Sequence, residues 1–376
     1  MRILQVIDSL RSGGAEKLIS DIILQTKSEY VEIDVLLLTD EGNVYDGILN
    51  KNNVSIKIVP IKSIRNPMNI YYIFKILSKS NYDIVHVHLF PATYWVSIAS
   101  CFLIFNKPKI VMTEHSTHNK RRKYKAFRII EKLIYKNFDT VVSISKGTQK
   151  ELVEWLGISS RNKKFQIINN GIVLDKFTYS EGLSVEELNI LGINYKYTLC
   201  MIGRFTESKD HETVLRALNR LPNFVGLVLV GEGPLEIEIR NKTKELDLDG
   251  RVRFLGFRSD VNRIIKSTDI IVHSANWEGF GLAVVEGMAA GKPVIASNVE
   301  GLSEIVSGSG LLFKPSDDLE LAQIINELIC DKTFYDTIAS KCLSSSKKYD
   351  IKKTAESYSD LYKGLLKEIN DNGNFI

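Results

Sequence analysis

The segment DIIVHSANWEGFGLAVVEGMAAGKPVIAS (269–297) decides the fold. It begins with a β-branched run, DIIVHS (269–274), continues through a glycine-rich turn and a helical stretch, and ends with a second apolar run, KPVIAS (292–297). A strand, a helix and a strand in this order form a βαβ unit, whose strands are parallel because the helix carries the chain back across the sheet. The segment therefore predicts a parallel sheet covered by helices.

The same alternation fills the chain in two blocks. The first block has seven strand-like runs: ILQVI (3–7), VEIDVLLL (31–38), VSIKIV (54–59), DIVHVHL (83–89), KIVMT (109–113), DTVVSIS (139–145) and FQIIN (165–169). Around 170–196 the pattern lapses into NNGIVLDKFTYSEGLS, which is typical of a hinge or linker. It restarts with YTLCMIG (197–203), GLVLVG (226–231), VRFLG (252–256), DIIVHS, KPVIAS and GLLF (310–313).

Two blocks of this kind predict an α/β protein with two tandem Rossmann-like domains, 1–175 and 176–376, that face an interdomain cleft. The tail from about 352 to 369 has apolar side chains at helical spacing: Tyr358, Leu361, Tyr362, Leu365 and Ile369. We expect a closing helix that packs back on the N-terminal domain. Ligands of open α/β sheets bind beyond the carboxyl ends of the strands, so the cleft is the expected site.

Composition excludes several classes of protein. Hydrophobic residues make up 44% and charged residues 25%, with 8 Pro and 24 Gly, which excludes disordered and collagen-like chains. Four scattered cysteines suggest no disulfide scaffold, and no apolar run is long enough for a signal peptide or a membrane span. We expect a cytoplasmic protein.

Charge is divided unevenly between the two halves. Residues 1–175 hold 25 Lys and Arg against 16 Asp and Glu, a net charge of +9, and residues 176–376 carry a net charge of −5. A basic half is expected where a protein faces an anionic surface or substrate. No nucleic-acid-binding module is recognisable, so we predict no nucleic-acid partner.

Three motifs follow strands in the second half. Glu278 and Glu286 lie eight residues apart across a glycine-rich helix start, where free N–H groups near Phe280, Gly281 and Leu282 suit a phosphate and carboxylates suit sugar hydroxyls. In GRFTESKDHE (203–212), Arg204 and Lys209 could neutralise a diphosphate. The turn GEGP (231–234) lets backbone approach a ligand closely. Each motif alone also fits an ordinary helix cap, a charged loop or a turn.

Together these motifs resemble the family 4 retaining glycosyltransferases, which have the GT-B fold and belong to glycosyltransferase group 1. The resemblance includes VRFLGF (252–257) and extends to RSGGAEK (11–17), TEHS (113–116), VVSISKG (141–147) and IINNGI (167–172). It implies a retaining transfer of a hexose or N-acetylhexosamine from a nucleoside-diphosphate sugar, with UDP favoured by family frequency, to a hydroxyl acceptor. The acceptors implied are glycans or lipid-linked (polyprenol-linked) molecules of cell-envelope polysaccharide synthesis.

The resemblance also implies roles for individual residues. Arg204 and Lys209 match the pair that holds the donor diphosphate and stabilises it as a leaving group, and Glu286 matches the ribose-binding glutamate. Glu278, Phe280, Gly281 and Leu282 match positions near the transferred sugar, Phe257 and Arg258 match positions near the base, and Gly13 and Gly14 match the first-strand loop. His115 matches a sugar-facing histidine with a role in catalysis or in positioning the sugar.

We predict neither a cofactor nor a metal ion. Arg204, Lys209 and a helix N-terminus can supply the positive charge that the leaving diphosphate needs. His86 and His88 share one strand face, and His115 and His118 follow nearby, but both pairs lack a Cys or carboxylate at ligand spacing.

The segment from Lys120 to Lys136 has eight basic residues and one acidic residue, with Phe127, Ile130 and Ile134 at helical spacing. It fits a helix on an anionic membrane surface, which would make the protein peripheral on the inner face of the membrane. It equally fits a helix packed on the sheet with a solvated basic face.

Two other functions remain open at this point. A non-hydrolysing nucleotide-sugar 2-epimerase shares the two-domain architecture, and a non-catalytic nucleotide-sugar-binding subunit would carry the same binding motifs. Dinucleotide chemistry is disfavoured because RSGGAEK lacks the GxGxxG spacing.

Overall fold

The computed structural model describes residues 1–61, 63–104, 107–159 and 161–373, without the side chains of Lys120 and of residues 368–373. The described chain divides into two compact units. The first unit is Met1–Gly171 together with the chain from Ile351 onward, and the second is Ile172–Asp350. Each unit has a parallel sheet with helices between its strands, so the predicted α/β class with two Rossmann-like halves is confirmed.

The sheet of the first unit has seven parallel strands in the order β3-β2-β1-β4-β5-β6-β7. β1 and β4 are central, and β4 and β5 are buried along nearly their whole length. Such strands are covered on both faces and therefore read as continuous apolar runs. The strands are β1 (Arg2–Ile7), β2 (Glu32–Leu37), β3 (Ser55–Ile58), β4 (Ile84–His88), β5 (Lys109–Glu114), β6 (Thr140–Ser143) and β7 (Phe165–Ile167).

Helices of the first unit follow its strands and end the chain. Those between strands are α1 (Gly14–Thr26), α2 (Asp46–Lys51), α3 (Asn69–Lys79), α4 (Ala92–Ser100), α5 (Lys125–Lys136) and α6 (Lys146–Leu156). A 3₁₀ turn, Lys120–Lys123, precedes α5. The C-terminal helix, Ile351–Gly373, packs against α1 and buries Tyr358 and Tyr362. The side chain of Ile369, which was expected on this apolar face, lies outside the described residues.

The sheet of the second unit has six parallel strands in the order β10-β9-β8-β11-β12-β13. The chain order reverses between β8 and β11, which is where open α/β sheets place their ligands. The strands are β8 (Tyr197–Ile202), β9 (Val225–Val230), β10 (Val252–Phe254), β11 (Ile270–His273), β12 (Val294–Ser297) and β13 (Leu311–Phe313).

The segment expected as a linker is partly helical. Two short helices, α7 (Leu174–Thr178) and α8 (Val185–Ile190), lie between 172 and 196, and a capping box between Ser184 and Glu187 begins α8. Helices of five and six residues are too short to show an apolar period, which is why the segment looked irregular. The helices of the second unit are α7 (Leu174–Thr178), α8 (Val185–Ile190), α9 (His211–Arg220), α10 (Glu236–Glu245), α11 (Val261–Ser267), α12 (Leu282–Ala289), α13 (Leu302–Val306), α14 (Asp318–Cys330) and α15 (Lys332–Ser346).

Within the described ranges, no helix is both long and apolar enough to cross a bilayer.

Candidate functional site

In the second unit, backbone hydrogen bonds pair the loop after β8 with the loop after β11, and we call this pairing the zipper. Lys209 pairs with Ala275 in an isolated antiparallel bridge. Asp210 N–H donates to Ser274 O at 3.2 Å, and Asn276 N–H donates to Ser208 O at 2.9 Å. These bonds fix the position of Lys209 relative to the glycine-rich segment that begins at Glu278.

The zipper brings together a lysine, a carboxylate and a histidine. The Lys209 ammonium donates a hydrogen bond to Glu278 Oε2, and Lys209 Nζ lies 2.8 Å from His273 Nε2. His273 Nε2 is 3.1 Å from the same Glu278 oxygen, while Glu278 Oε1 accepts from Gly279 N–H at 3.0 Å. The side chains of Lys209 and Glu278 are only 14% and 19% exposed, so their charges interact with little solvent screening.

Electrostatics in this cluster favour a negative Glu278 beside a neutral His273. Burial alone would raise the pKa of Glu278, but the Lys209 charge and the His273 hydrogen bond outweigh burial and lower that pKa. Burial, reinforced by Lys209, lowers the pKa of His273. His273 Nε2 lies within hydrogen-bond distance of both Lys209 Nζ and Glu278 Oε2, and His273 Nδ1 is a buried atom without a partner among the described residues.

Arg204 differs from Lys209 in being free to meet a ligand. It follows β8, and its residue is exposed. In the part of the chain that the structure describes, its guanidinium makes neither a hydrogen bond nor an ion pair. The Lys209 stem, by contrast, lies against Gly203, where an added Cβ would come within 3.3 Å of Lys209 Cε.

The start of α12 presents backbone donors next to Glu278. Its N-cap, Gly281, has φ of 93° and offers no side-chain cap, so the N–H groups of Leu282 and Ala283 have no acceptor within the helix, whereas those of Val284 and Val285 donate to Gly281 O. Phe280 is buried against Tyr349, with ring centroids 5.6 Å apart. Glu286 lies in the second turn and is buried at 5% exposure, whereas Glu278 lies in the loop.

The GEGP turn joins the neighbouring strand-end loops. Gly231 has φ of 137°, and a Cβ there would come within 2.2 Å of Gly203 O, so only glycine fits. Phe205 N–H donates to Glu232 O at 3.1 Å, and Glu232 Oε1 accepts from Phe257 N–H at 3.2 Å. The turn therefore holds the loops after β8 and β10 at a fixed spacing.

The two residues predicted near the base have different surroundings. Phe257 is exposed at 45%. Arg258 forms a two-pronged pair with Asp260, with both N–O distances at 2.8 Å. Its side chain is thus held in place but already neutralised.

In the first unit, the predicted glycines begin α1. Gly13 is the N-cap, with no side-chain cap, and Gly14 is the first helical residue. A Cβ on Gly13 would come within 2.1 Å of Glu16 Oε2. Asp8, at the end of β1, accepts from Ala92 N–H at 3.0 Å, and burial together with the Glu16 charge raises the pKa of Asp8 to about 7 against the lowering effect of that bond.

His115 follows β5 and hydrogen bonds with a second histidine, since His115 Nε2 lies 3.1 Å from His88 Nδ1. Burial lowers the pKa of His115 to about 4, so it is neutral at neutral pH. The sequence placed His86 and His88 beside it as metal-ligand candidates. Both have hydrogen-bond partners, and the described residues contain no group of three His, Cys, Asp or Glu that could hold a metal ion.

The apolar side chains noted at helical spacing on α5 have different surroundings. Ile134 is buried in the core of the first unit, while Ile130, at 44%, is exposed. Ile129 and Leu133 are also exposed, at 67% and 65%, although the sequence analysis did not select them. Ile134 and Tyr135 pack inward beside the buried Glu131, so the helix has one apolar face toward the core and a second one toward solvent.

Two family models match the chain in turn. The model for glycosyltransferase family 4 matches residues 12–176, and the model for glycosyl transferases group 1 matches residues 186–342. The chain is a family 4, group 1 glycosyltransferase. The resemblance seen in the motifs is confirmed.

Relatives of this glycosyltransferase carry names that specify their substrates. The UDP-Gal:alpha-D-GlcNAc-diphosphoundecaprenol alpha-1,3-galactosyltransferase of Escherichia coli is 26% identical over 319 residues, with 80% of each chain covered. A Campylobacter jejuni enzyme, N-acetylgalactosamine-N,N'-diacetylbacillosaminyl-diphospho-undecaprenol 4-alpha-N-acetylgalactosaminyltransferase, is 24% identical and covers 96% of this chain and 98% of its own. The crystal structure of Anabaena HepE with UDP and glucose matches with a TM-score of 0.84 at 22% identity, covering 97% and 100% of the two chains. This likeness supports the GT-B fold.

Sequence reasoning missed two features of the glycosyltransferase. His273, in contact with both Lys209 and Glu278, was counted only as part of a strand run; a histidine at the last position of a buried strand, five residues before Glu278, was the available signal. Tyr358 and Tyr362 were taken as apolar helix positions. Their hydroxyls hydrogen bond to Thr113 and His86, which no helical period can indicate.

Proposed function

We propose that this glycosyltransferase moves a hexose or N-acetylhexosamine from a UDP-sugar to a hydroxyl acceptor, with retention at the anomeric carbon. The observation that carries the proposal is the cluster of Lys209, Glu278 and His273, with Arg204 on the same strand-end loop as Lys209. The acceptor class is a glycan or polyprenol-linked molecule of cell-envelope polysaccharide synthesis. The undecaprenol-linked substrates in the names of two relatives support that class.

The donor diphosphate is assigned to Arg204, Lys209 and the start of α12. A guanidinium that is exposed and unpaired in the described structure can bind a diphosphate without first breaking another bond. The uncapped N–H groups beyond Gly281 add partial positive charge on the same loop as Glu278. Glu286 is assigned to the ribose hydroxyls, and Phe257 and Arg258 to the base.

The Lys209–Glu278 pair suits a site that must stabilise a departing diphosphate. As the bond between sugar and phosphate breaks, negative charge grows on the phosphate, and fixed cations stabilise that charge more than they stabilise the bound donor. Glu278 keeps Lys209 in place before the donor binds and can accept hydrogen bonds from sugar hydroxyls through its oxygens. No metal ion is required in this scheme.

His115 is assigned to the donor sugar, and Gly13 and Gly14 to a close approach of ligand to the start of α1. A neutral histidine can accept a hydrogen bond from a sugar hydroxyl, whereas a charged one cannot. Retention follows if the departing phosphate takes the acceptor proton on the face that it leaves, through an oxocarbenium-like state.

The test is transfer to a synthetic undecaprenyl-diphosphate sugar from a panel of UDP-, GDP- and ADP-sugars in the presence of EDTA. We expect a product with a UDP-sugar, and an α-linkage from an α-linked donor. Arg204→Ala should lower kcat/KM by about 100-fold. Arg220→Ala should not change it, because this arginine, on α9, pairs with Asp318 on α14.

Three results would contradict the proposal. A new nucleotide sugar formed without acceptor would indicate an epimerase. Binding of UDP-sugar with no turnover under any condition would indicate a binding subunit. Complete loss in EDTA that Mg²⁺ or Mn²⁺ restores would refute metal independence.

We also propose that α5 places the first unit on the inner, anionic face of the membrane. Ile129, Ile130 and Leu133 are exposed on a helix that carries Lys125, Arg128, Lys132 and Lys136, and the exposed Lys123 precedes it. Apolar side chains enter the headgroup region while cations pair with acidic lipids. The side chain of Lys120 lies outside the described residues.

Sedimentation with vesicles of phosphatidylglycerol and phosphatidylcholine tests this surface. Replacing Ile129, Ile130 and Leu133 together with Ser should abolish binding at low salt, and Ile237→Ser, a similarly exposed isoleucine of the second unit, should leave it unchanged. Equal binding by the triple variant, or none by the unmodified protein, would contradict the proposal.

A further inference from the structure

A buried hydrogen-bond network connects His115 to the C-terminal helix. His115 Nε2 lies 3.1 Å from His88 Nδ1, and His88 Nε2 lies 2.8 Å from Gln5 Oε1. Gln5 Nε2 donates to the Tyr362 hydroxyl at 3.4 Å. Gln5 and His88 are each 2% exposed, so water does not compete for these bonds.

The order of donors in the network follows from Gln5. Its Oε1 can only accept, so the proton between Gln5 and His88 belongs to His88 Nε2. A neutral imidazole carries one N–H, which leaves His88 Nδ1 as an acceptor. The proton between the two histidines must therefore belong to His115 Nε2.

The other branch of the network agrees with this order. Because the Tyr362 hydroxyl accepts from Gln5, its own proton is available to His86 Nδ1, 2.7 Å away. His86 then donates through Nε2 to Thr113 Oγ1, also at 2.7 Å. Burial together with the neighbouring histidines lowers the pKa of both His86 and His88, which keeps both rings neutral as this order requires.

We propose that His88 is a positioning residue for His115: held by Gln5, it fixes the tautomer in which His115 donates through Nε2 and offers the lone pair of Nδ1 to a sugar hydroxyl. No described residue hydrogen bonds with His115 Nδ1, and His115 is partly exposed. The inference rests on the proposed role of His115 in the transfer reaction. It adds that Gln5, held by Tyr362 of the C-terminal helix, determines that His115 Nδ1 carries a lone pair and not a proton.

The hydrogen bond can be observed directly. In deuterated protein with ¹⁵N-labelled histidine, an N–H···N bond gives a scalar coupling between the two nitrogens, and the proton identifies the donor. The chain has six histidines, and loss of one signal set in His115→Gln assigns the ring. We expect a coupling between His115 Nε2 and His88 Nδ1, with the proton on His115.

His86→Phe is the matched control for His88→Phe. The two rings lie on one strand with centroids 4.0 Å apart and planes tilted by 43°, and both are buried, but His86 does not hydrogen bond with His115. Both variants should lower the melting temperature. Only His88→Phe should remove the coupling and lower kcat, by about tenfold, with donor KM within about twofold of the parent value.

A double-mutant comparison separates positioning from a structural role. In the His115→Gln background, His88→Phe should not lower kcat further, because the group it positions is already absent. The inference is overturned if the proton lies on His88 Nδ1, if no coupling is seen, if the two phenylalanine variants lose kcat equally, or if the effects of His88 and His115 multiply. Absence of transfer by the parent protein would refute the proposed function, and the coupling would still decide the inference, since it needs no substrate.

Discussion

Lys209 and Glu278 form a charged pair whose strength depends on its surroundings. Their side chains are mostly removed from solvent, and His273 contacts both charges. Removing one partner of such a pair leaves the other charge without compensation in a poorly solvated place. Each single substitution should therefore lower the free energy of unfolding by more than the intact pair contributes to it.

This reasoning predicts the outcome of a double-mutant cycle. Lys209→Met and Glu278→Gln should each lower the free energy of unfolding of the second unit by about 2 kcal/mol, and the double variant should lose less than the sum by at least about 1 kcal/mol. Urea unfolding measures each value. The exposed pair Lys332–Asp336 on α15, with side chains 79% and 59% exposed, should show a coupling below about 0.5 kcal/mol. Equal couplings for the two pairs would contradict the prediction.

At the scale of elements, the site depends on how closely the strand-end loops pack. The loops after β8 and β9 approach each other backbone to backbone at Gly231 and Gly203, and no side chain fits at Gly231. The same contact fixes where Arg204 leaves the sheet.

Gly231→Ala tests this contact. The added Cβ meets Gly203 O at 2.2 Å, and φ of 137° is strained for alanine, so we expect a loss of at least about 2 kcal/mol in unfolding free energy together with weaker UDP binding. Calorimetry and a UDP titration measure the two effects. Gly250→Ala is the control, because a Cβ there has nothing within 4 Å, and it should change stability by less than about 1 kcal/mol. Unchanged UDP affinity in Gly231→Ala would contradict the role given to this contact.

The elements were predictable where their period was clear. Every strand-like run in the sequence overlaps an observed strand, because buried parallel strands are uninterrupted apolar runs bounded by turns. The helices α7 and α8 were not predictable, since five or six residues show no period. The inward face of α5 was not predictable, because the helix is apolar on two sides and sequence alone does not tell which side meets the core.

The site was predictable as a set of loops but not as a set of contacts. Strand-end motifs placed Arg204, Lys209 and Glu278 on loops of one sheet edge. That Lys209 meets Glu278 depends on the zipper between residues 208–210 and 274–276, which joins loops more than sixty positions apart. Long-range backbone pairing of this kind leaves no local pattern.

At the scale of the whole molecule, the buried histidines of the first unit make its stability depend on pH. The pKa of His115 falls from 6.5 to about 4 on folding, so between these values the unfolded chain binds a proton that the folded unit does not. The contribution of His115 to the free energy of unfolding is therefore largest above pH 6.5 and is lost as the pH falls toward 4. Asp8 acts in the opposite direction, because its raised pKa lets the folded unit hold a proton up to about pH 7.

Urea unfolding from pH 7 to pH 4.5 should show this loss in the first unit. A Trp277→Phe variant leaves Trp95 and Trp155, both in the first unit, to report it. Comparison with His115→Gln isolates the contribution of His115, which we expect to reach at most about 3 kcal/mol. A difference between the two proteins that does not shrink as pH falls would contradict the assignment.

The return of the C-terminal helix to the first unit has a consequence for biosynthesis. Gln5 precedes Tyr362 by 357 residues and His86 precedes it by 276, so during synthesis their polar groups lack this partner until the C-terminal helix has been translated. The second unit is continuous in sequence and can acquire its native structure first. A nascent chain stalled after Asp350 should accordingly resist protease across the second unit and be cut readily in the first.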